Sequence, residues 1–437
     1  MNESTLKQKY HLKGSPTSGL IMATFGFFIG FAAVSLYGPV ASKLKELLGI
    51  SGLLLGLLVA APNLSGSLLR IPFAAWVDKV GGKKPLGTLL ILAVIGMAGL
   101  SAILLLYYPD FSKGMYWLIV FFGILSGCGI ATFSVGIAQT SYWFPQKKQG
   151  IALGSYAGIG NTAPGIFGIL LPFALRAFGL PVSYLIWFGL LLVGTIIYLG
   201  FVHDAYYFQL VKKGVAPNEA EKIARALGQE LFPSGSTIES LKISAKIPGT
   251  WGLVLLYFTS FGGFLALTGW FPVYWAKNYG FNLREAALLM AFGFSLLASV
   301  IRVYGGHLSD KFGGEFIAIL SYVTVLLGAV ILIFSRSFGI SLTGEIIIGA
   351  GMGVGNAAVF KLVPKYVPRA PGGAAGWVGG LGAFGGFVVP PILGVFVDHY
   401  GVSGYAKGFV VYVVLALISI ITAFILLKVY NPQKKKA

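Results

Sequence analysis

Two arginines lie inside apolar stretches of the sequence, at equivalent places in its two halves. Arg70 precedes Asp78 by eight residues, Arg302 precedes Asp310 by eight residues, and the two copies are 232 residues apart. A Gly-Gly pair follows each aspartate at the same spacing. On a helix, eight residues place each arginine roughly 12 Å from its aspartate. An arginine so far from a helix end is costly in a lipid bilayer, and therefore indicates a function.

The chemistry of the arginine side chain favours an anion as ligand. A guanidinium group is planar, keeps its charge at physiological pH and offers paired N–H donors to an oxyanion. We predict that Arg70 and Arg302 face one central cavity and bind a single small anion from opposite halves. The two charges would repel each other in an empty site, and an anion between them would relieve that repulsion. The alternative is that each arginine satisfies buried carbonyl groups and serves packing alone.

Composition identifies the class of protein. The chain has 437 residues, of which 56% are hydrophobic and 11% are charged, with a mean hydropathy of +0.83. Soluble domains have about 25% charged residues, so we predict an all-α integral membrane protein. The net charge of +18 is scattered along the chain, and no nucleic-acid partner is expected. Cys128 is the single cysteine, which excludes an intrachain disulfide. No nucleophile–base pair or metal-ligand cluster is evident, so we expect neither an enzyme nor a metal or other cofactor.

Runs of roughly 20 apolar residues can span a bilayer, and the sequence contains about twelve of them. A polar segment, 204–249, separates the sixth run from the seventh, and the 232-residue offset agrees with that division. We predict an N-terminal six-helix half (1–203), a linker (204–249) and a C-terminal six-helix half (250–437). The predicted spans are 18–40, 50–76, 84–107, 114–143, 149–175, 181–203, 250–276, 285–308, 315–335, 340–362, 373–397 and 404–429.

Lysine and arginine in the loops predict the orientation, because cytoplasmic loops are enriched in them. If the N-terminus is cytoplasmic, 22 of the 32 basic residues lie inside, 8 lie outside, and Arg70 and Arg302 lie in the membrane. The inside count includes the terminal residues Lys434, Lys435 and Lys436. The polar N-terminus shows no cleavable signal peptide. We therefore expect a multi-pass protein of the cell membrane with both termini and the linker in the cytoplasm.

Acidic residues are scarce within the predicted spans. Glu285 and Glu315 are the first residues of their spans, and only Glu345 falls further inside one, near the outer end of the tenth. The four histidines are at or beyond helix ends. We therefore expect a membrane interior with two positive charges and no titratable partner for them, which favours an anion as cargo. The roles of Glu345 and of Lys361, which lies either in the pathway or at the inner membrane edge, stay open, with the edge preferred for Lys361.

The Asp-x-x-Gly-Gly motif, together with twelve spans and a central linker, resembles the loop motif of the major facilitator superfamily. Gly306 stands four residues before Asp310, whereas Ala74 replaces this glycine before Asp78. The resemblance implies two pseudo-symmetric six-helix halves. It also implies that Asp78 and Asp310 help to hold the cytoplasmic side in one conformation.

Glycine-rich stretches mark the fifth, tenth and eleventh spans. Small residues at spacings of three or four let membrane helices approach backbone to backbone. So many glycines also weaken a helix, so we interpret these stretches as smooth faces along which helices slide. The candidate gating glycines are Gly158, Gly160 and Gly165 in the fifth span and Gly379, Gly382 and Gly385 in the eleventh.

These stretches, with the paired arginines, resemble the nitrate/nitrite porter family of that superfamily. Three segments show this resemblance: Gly-Ile-Gly-Asn at 158–161, the glycine run at 372–386 and Gly-Asn-Ala-Ala-Val-Phe-Lys-Leu-Val-Pro at 355–364. The resemblance implies that the arginines bind the anion, that Asn161 assists and that aromatic rings sandwich the anion. By local context, those rings are Phe133, Tyr257 and Phe261.

The resulting prediction is transport of nitrate and nitrite by alternating access, as nitrate/nitrite exchange. Nitrate is ionised at physiological pH, so its binding needs no proton. Because the two arginines repel each other in an empty site, the empty carrier should rarely switch between its inward-facing and outward-facing conformations. The alternatives are nitrate/proton symport and a small-carboxylate antiporter of the same superfamily. A non-transporting anion sensor is disfavoured by the absence of a signalling domain. The expected partners are nitrate, nitrite and the lipid bilayer, and we expect a monomer.

Overall fold

The computed structural model describes residues 3–233 and 237–429, which are helical or irregular, with no strand. Lys434, Lys435 and Lys436, which were counted as cytoplasmic, lie outside the described residues. A short helix, α1 (Glu3–Lys9), precedes the first apolar helices. These are α2 (Pro16–Leu48), α3 (Gly52–Val80), α4 (Lys83–Tyr107), α5 (Met115–Trp143) and α6 (Gln146–Phe201).

Three short helices form the polar segment that follows: α7 (Tyr206–Lys212), α8 (Pro217–Ala226) and α9 (Thr237–Ala245). The second set of apolar helices comprises α10 (Pro248–Tyr279), α11 (Leu283–Phe312), α12 (Gly314–Phe334), α13 (Phe338–Tyr366), α14 (Pro371–Lys407) and α15 (Val410–Lys428). Eleven of the described helical stretches are therefore long and apolar enough to cross a membrane.

Helix α6 accounts for the difference between eleven stretches and twelve predicted spans. Its 56 residues would extend roughly 84 Å as one helix, far more than a bilayer core of about 30 Å. Gly179 breaks it, with φ +74° and ψ 176° inside the helical run. A left-handed φ is open to glycine and strained for other residues. The two arms of α6 thus correspond to the predicted fifth and sixth spans, so the described residues contain twelve apolar helical segments of membrane-spanning length.

The linker helices lie at one end of the bundle, which we call the linker end. Tyr206 of α7 donates a hydrogen bond to the carbonyl of Gly14, 3.0 Å away. At α9, Ser240 accepts from the backbone N–H of Gly373 at 3.0 Å, and the indole of Trp377 donates to Leu241 at 3.0 Å. The linker therefore contacts both halves of the bundle. The other end is called the opposite end.

Glycine lets several helices touch along their backbones. A Cβ added to Gly127 of α5 would overlap the carbonyl of Pro62 in α3, and one added to Gly30 of α2 would lie 2.6 Å from the Gly129 carbonyl oxygen. Such contacts bring α2, α3 and α5 closer than larger side chains allow. The contact at Pro62 lies about two helical turns before Arg70 in α3, so it helps to fix the position of the helix that carries this residue.

Candidate functional site

Arg70 of α3 is fully buried, with 0% of its side chain exposed. Its Nε donates to the carbonyl of Gly66 one turn earlier, at 2.9 Å, which fixes the direction of the side chain. Nη1 donates at 3.3 Å to the carbonyl of Gly379 on α14, in the other half. The third nitrogen, Nη2, is buried and has no partner among the described residues. Burying an unpaired charged donor is costly, so this N–H is available to an anion.

Arg302 of α11 is partly buried and lies close to Arg70. It makes no hydrogen bond of standard geometry within the described chain, and its Nη1 is buried without a partner. The two arginines share the same two rings. Arg70 Cζ lies 5.0 Å from the ring centre of Phe133 and 4.9 Å from that of Phe261, and the Arg302 distances are 5.7 and 5.8 Å. Two cations without carboxylate partners therefore meet at one pair of rings.

The rings form a cage contributed by both halves. Phe133 of α5 and Phe261 of α10 have ring centres 5.9 Å apart and planes 28° apart. Tyr257 lies almost parallel to Phe261, at 4.9 Å and 8°. A π-helical turn at Phe258–Gly262 widens α10 here, and such turns are frequent at functional sites. The hydroxyl of Tyr257 is buried and has no hydrogen bond of standard geometry.

Two glycines of α14 make room for these rings. A Cβ on Gly382 would lie 2.8 Å from Tyr257, and a Cβ on Gly385 would lie 2.7 Å from the carbonyl oxygen of Phe258. In α6, Gly160 leaves space for the ring of Phe27, which in turn lies 5.3 Å from Phe133.

The remaining candidate glycines differ from one another. A Cβ on Gly165 would crowd Leu296 of α11 at 2.7 Å. At Gly158 and Gly379 a Cβ would meet only ordinary contacts, the nearest at 3.7 and 3.6 Å. The carbonyl of Gly379 is nevertheless the partner of Arg70. The sliding role predicted for all six glycines stays a prediction.

Asn161 lies at the turn between the first two helical segments of α6 and is 2% exposed. Its backbone carbonyl accepts a hydrogen bond from Ser299 on α11 at 2.9 Å. Ser299 lies one helical turn before Arg302, so the Asn161 backbone contacts α11 one turn from that arginine. Its side-chain Oδ1 is buried and unpaired. The amide makes no hydrogen bond to either arginine in the described part of the chain, so an assisting role stays a prediction.

Asp78 and Asp310 lie at the linker end and bind partners in their own halves. Asp78 accepts a hydrogen bond from Tyr142 of α5 at 2.6 Å. Asp310 forms an ion pair with Lys361 of α13, and the same ammonium group donates to the carbonyl of Ser309 at 2.7 Å. Lys361 therefore ties α13 to the end of α11.

A cavity of about 690 Å³ extends from the aromatic cage towards the linker end. Phe133 and Phe360 line its deep part, Asp78 and Tyr142 line its side, and linker residues such as Leu241 line its mouth. Since Phe360 packs edge-on against Tyr257 at 4.8 Å, the cavity reaches the rings that surround the arginines.

The opposite end is closed by contacts between the halves. A Cβ on Gly394 of α14 would overlap the carbonyl of Gly52 in α3. The Asp398 carboxylate accepts from the backbone N–H groups of Gly52 and Leu53, at 2.5 and 2.8 Å, and so caps the start of α3. Lys277 pairs with Glu46 at 2.7 Å. The cavity at the linker end therefore extends as far as Phe133, beside the buried arginine site, whereas contacts between the halves seal the opposite end.

Glu345 lies near one end of its helix, as the sequence indicated, and does not contact either arginine. The carboxyl group is 0% exposed inside α13 and accepts from the Trp275 indole N–H at 2.8 Å. Its complete burial was not predicted, because the aromatic end of α10 that covers it is distant in sequence. An acidic residue seven positions into an apolar helix was the available signal.

Comparison with known proteins agrees with this architecture. The family model of the Major Facilitator Superfamily matches residues 23–390 and, again, 289–437. The chain resembles the xylose transporter XylE from E. coli, in a partially occluded inward-open conformation, with a TM-score of 0.71 at 15% identity over 95% of this chain and 99% of that one. At this identity the likeness concerns the fold.

Curated relatives are similar over most of their length. The probable nitrate/nitrite antiporter NarK1 of Thermus thermophilus is 29% identical over 85% of this chain and 83% of its own. The probable nitrate/nitrite transporter NarK2 of Mycobacterium tuberculosis is 28% identical, over 92% and 94%. The nitrite extrusion protein of Bacillus subtilis is 27% identical, over 92% of each chain. The chain therefore belongs to the Major Facilitator Superfamily, a superfamily of membrane transporters rather than enzymes, and resembles its nitrate and nitrite porters.

Proposed function

We propose that this protein carries nitrate and nitrite across the cell membrane by alternating access, with the anion bound between Arg70 and Arg302. The main observation behind the proposal is that both guanidinium groups lie over the same two rings, each with a buried N–H that has no partner among the described residues. A planar oxyanion fits this site, since its oxygens can accept hydrogen bonds from both guanidinium groups while its two faces lie against the aromatic rings. The names of the relatives support nitrate and nitrite as the anions.

In this proposal residues 1–203 and 250–437 are the moving halves, and 204–249 is a cytoplasmic linker. Both termini are then cytoplasmic, in agreement with the basic loops. The cavity at the linker end makes the described conformation one that faces the cytoplasm. Opening the other way requires the contacts of Gly394 with Gly52, and of Lys277 with Glu46, to separate. We expect one chain to suffice for the cycle.

Exchange of nitrate for nitrite is the mode we favour. No carboxylate pairs with either arginine in the described residues, so an empty site leaves two like charges in a medium of low dielectric constant. A carrier that must hold an anion to change sides is an exchanger. Proton-coupled uptake is the second candidate, and buried Glu345 is the observation that favours it.

The test is nitrate uptake into proteoliposomes that contain nitrite or no anion, with and without a proton gradient. Exchange predicts uptake that needs internal nitrite and ignores the gradient. Uptake into empty vesicles only with the gradient would replace exchange by symport. Oxalate, formate and lactate are added as competitors. If they are transported and neither nitrate nor nitrite is, the site belongs to a carboxylate antiporter and the proposal fails.

A further inference from the structure

Glu345 is a buried carboxyl group that the proposed anion site does not use. One oxygen, Oε2, accepts from the Trp275 indole, and the other, Oε1, is buried without a partner. Glu345 forms no ion pair with any described residue. A buried, unpaired carboxylate carries a large desolvation cost, whereas the neutral acid does not. Burial of Glu345 without a counter-charge therefore favours its neutral form in this conformation.

The contacts of Glu345 with the described residues are with neutral groups. Trp275 and Tyr274 face it from α10, and Gly293 of a π-helical turn in α11 approaches so closely that its Cβ would lie 3.1 Å from Oε2. At the preceding residue, Gly344, the neighbours from α12 are Gly328, Ile331 and Leu332, which are also neutral. The titratable groups nearby are tyrosines, so no described cation holds Glu345 in its ionised form.

A chain of hydroxyl groups leads from this region to the surface at the opposite end. Tyr274 donates to Ser341 at 3.0 Å, and Ser341 and Tyr279 share a hydrogen bond of 2.5 Å. Tyr279 donates to the carbonyl of Ser337 at 3.3 Å. Because hydroxyls donate and accept together, all three bonds can run in one direction. Ser341 precedes Glu345 by four residues, so the two side chains lie on one face of α13.

The outer end of this chain reaches solvent. Tyr279 is partly exposed and lines a surface cavity of about 470 Å³, together with Arg336 and Lys407. At the inner end, the ring of Tyr274 lies 5.0 Å from that of Trp275, whose indole N–H binds Glu345. The path therefore joins Glu345 to the end of the molecule that is sealed against anions.

We propose that Glu345 is a proton-binding site, reached from the opposite end through Tyr279, Ser341 and Tyr274, and that it releases and rebinds one proton in each transport cycle. The proposal rests on the proposed transport function, to which it adds a coupling group. A proton enters from water at Tyr279, each hydroxyl passes one proton on and receives one, and the Glu345 carboxylate takes the last.

The position of Trp275 links protonation to the movement of the halves. Its helix, α10, also carries Lys277, which pairs with Glu46 of the first half, and Gly269, whose carbonyl lies 2.7 Å from a Cβ placed on Gly38. Opening the opposite end separates these contacts and draws water towards Glu345, where the ionised form is hydrated. Closing that end again requires the carboxylate to regain its proton.

The first measurement is infrared spectroscopy of the purified protein in lipid at neutral pH. We expect a protonated-carboxyl carbonyl band that shifts in heavy water and is missing in Glu345→Gln. Asp110→Asn, which changes an exposed carboxyl, is the control that keeps the band. A wild-type spectrum without this band would overturn the proposal, whatever the protein transports.

The second measurement is nitrate/nitrite exchange with equal pH on both sides, from about pH 5 to about pH 9. Above the titration of Glu345, the wild-type rate should fall by about tenfold per pH unit, as the protonated fraction does. Glu345→Gln keeps the Trp275 hydrogen bond and mimics the neutral acid, so its exchange should continue without pH dependence. Any uptake driven by a proton gradient should be lost in it.

Tyr279→Phe removes the outer hydroxyl of the path and should slow nitrate/nitrite exchange at alkaline pH at least severalfold, with Tyr400→Phe as the surface control. A wild-type pH profile in Glu345→Gln would overturn the proton site while leaving nitrate transport intact. If the wild-type protein moves neither nitrate nor nitrite, the proposed function fails, and the infrared band alone decides whether Glu345 binds the proton.

Discussion

Replacing Arg302 by lysine is the sharpest test of the anion site, because lysine keeps the positive charge but lacks the paired N–H donors of the guanidinium group. Arg302 makes no hydrogen bond of standard geometry within the described residues, so the substitution should leave the fold undisturbed. Arg70→Lys would be harder to interpret, since that side chain also bonds two carbonyls.

The expected loss follows from the contacts available to the anion. A hydrogen bond to a charged group contributes about 1.5–3 kcal/mol, and an ammonium group cannot reproduce the second, parallel N–H of the guanidinium. Part of the interaction with Phe133 and Phe261, at 5.7 and 5.8 Å, is retained by lysine. A net loss of about 2–3 kcal/mol corresponds to a rise of roughly 30- to 150-fold in the KM for nitrate.

The assay is exchange of external nitrate for internal nitrite in proteoliposomes, with the initial rate measured over a range of nitrate concentrations. Arg176→Lys, at an exposed position, is the matched control and should behave as wild type. A KM for Arg302→Lys within threefold of wild type would refute the shared-anion site, provided that the variant is folded. Circular dichroism and gel filtration check that condition.

Three further substitutions address the cage, the seal and the linker end. Phe261→Leu removes a ring that both guanidinium groups face. Because cation–π contacts contribute about 0.5–2 kcal/mol each, the nitrate KM should rise about tenfold. An unchanged KM in the exchange assay would contradict the aromatic cage. Gly394→Ala places a methyl group against the Gly52 carbonyl, and should lower the exchange rate by at least about tenfold while nitrate binding, measured calorimetrically, persists. The control is Gly189→Ala, where a Cβ meets nothing within 4 Å. Full exchange in Gly394→Ala would count against the seal at the opposite end. Lys361→Gln breaks the ion pair that ties α13 to α11 and should lower the exchange rate severalfold with the KM unchanged; a raised KM would place this lysine in the anion pathway.

The central pair of arginines could be predicted from the sequence, since a cation deep inside an apolar helix is costly and this chain carries one in each half. The offset of 232 residues also predicted that both would reach one level of the bundle. Phe133 and Phe261 came from family resemblance, because a phenylalanine in a membrane helix carries no local signal that it faces a cavity. The structure brings all four side chains together.

Other features depend on packing that no local pattern reveals. The contact of Arg70 with Gly379 joins residues 309 apart in sequence. The burial of Glu345 depends on Trp275, 70 residues earlier, and on the aromatic packing around it. The π-helical turns at Phe258–Gly262 and Met290–Ser295 insert an extra residue into regular apolar periodicity, which the sequence pattern does not register.

The cavity at the linker end has a consequence for the water that the protein handles. A volume of about 690 Å³ holds on the order of twenty water molecules, at about 30 Å³ each. When the halves close around that space, this water must leave, and a similar volume must fill on the other face. The osmotic pressure of any solute too large to enter the cavity therefore favours closure of the linker end and opposes its reopening. Turnover thus becomes sensitive to crowding on the linker side, independently of nitrate concentration.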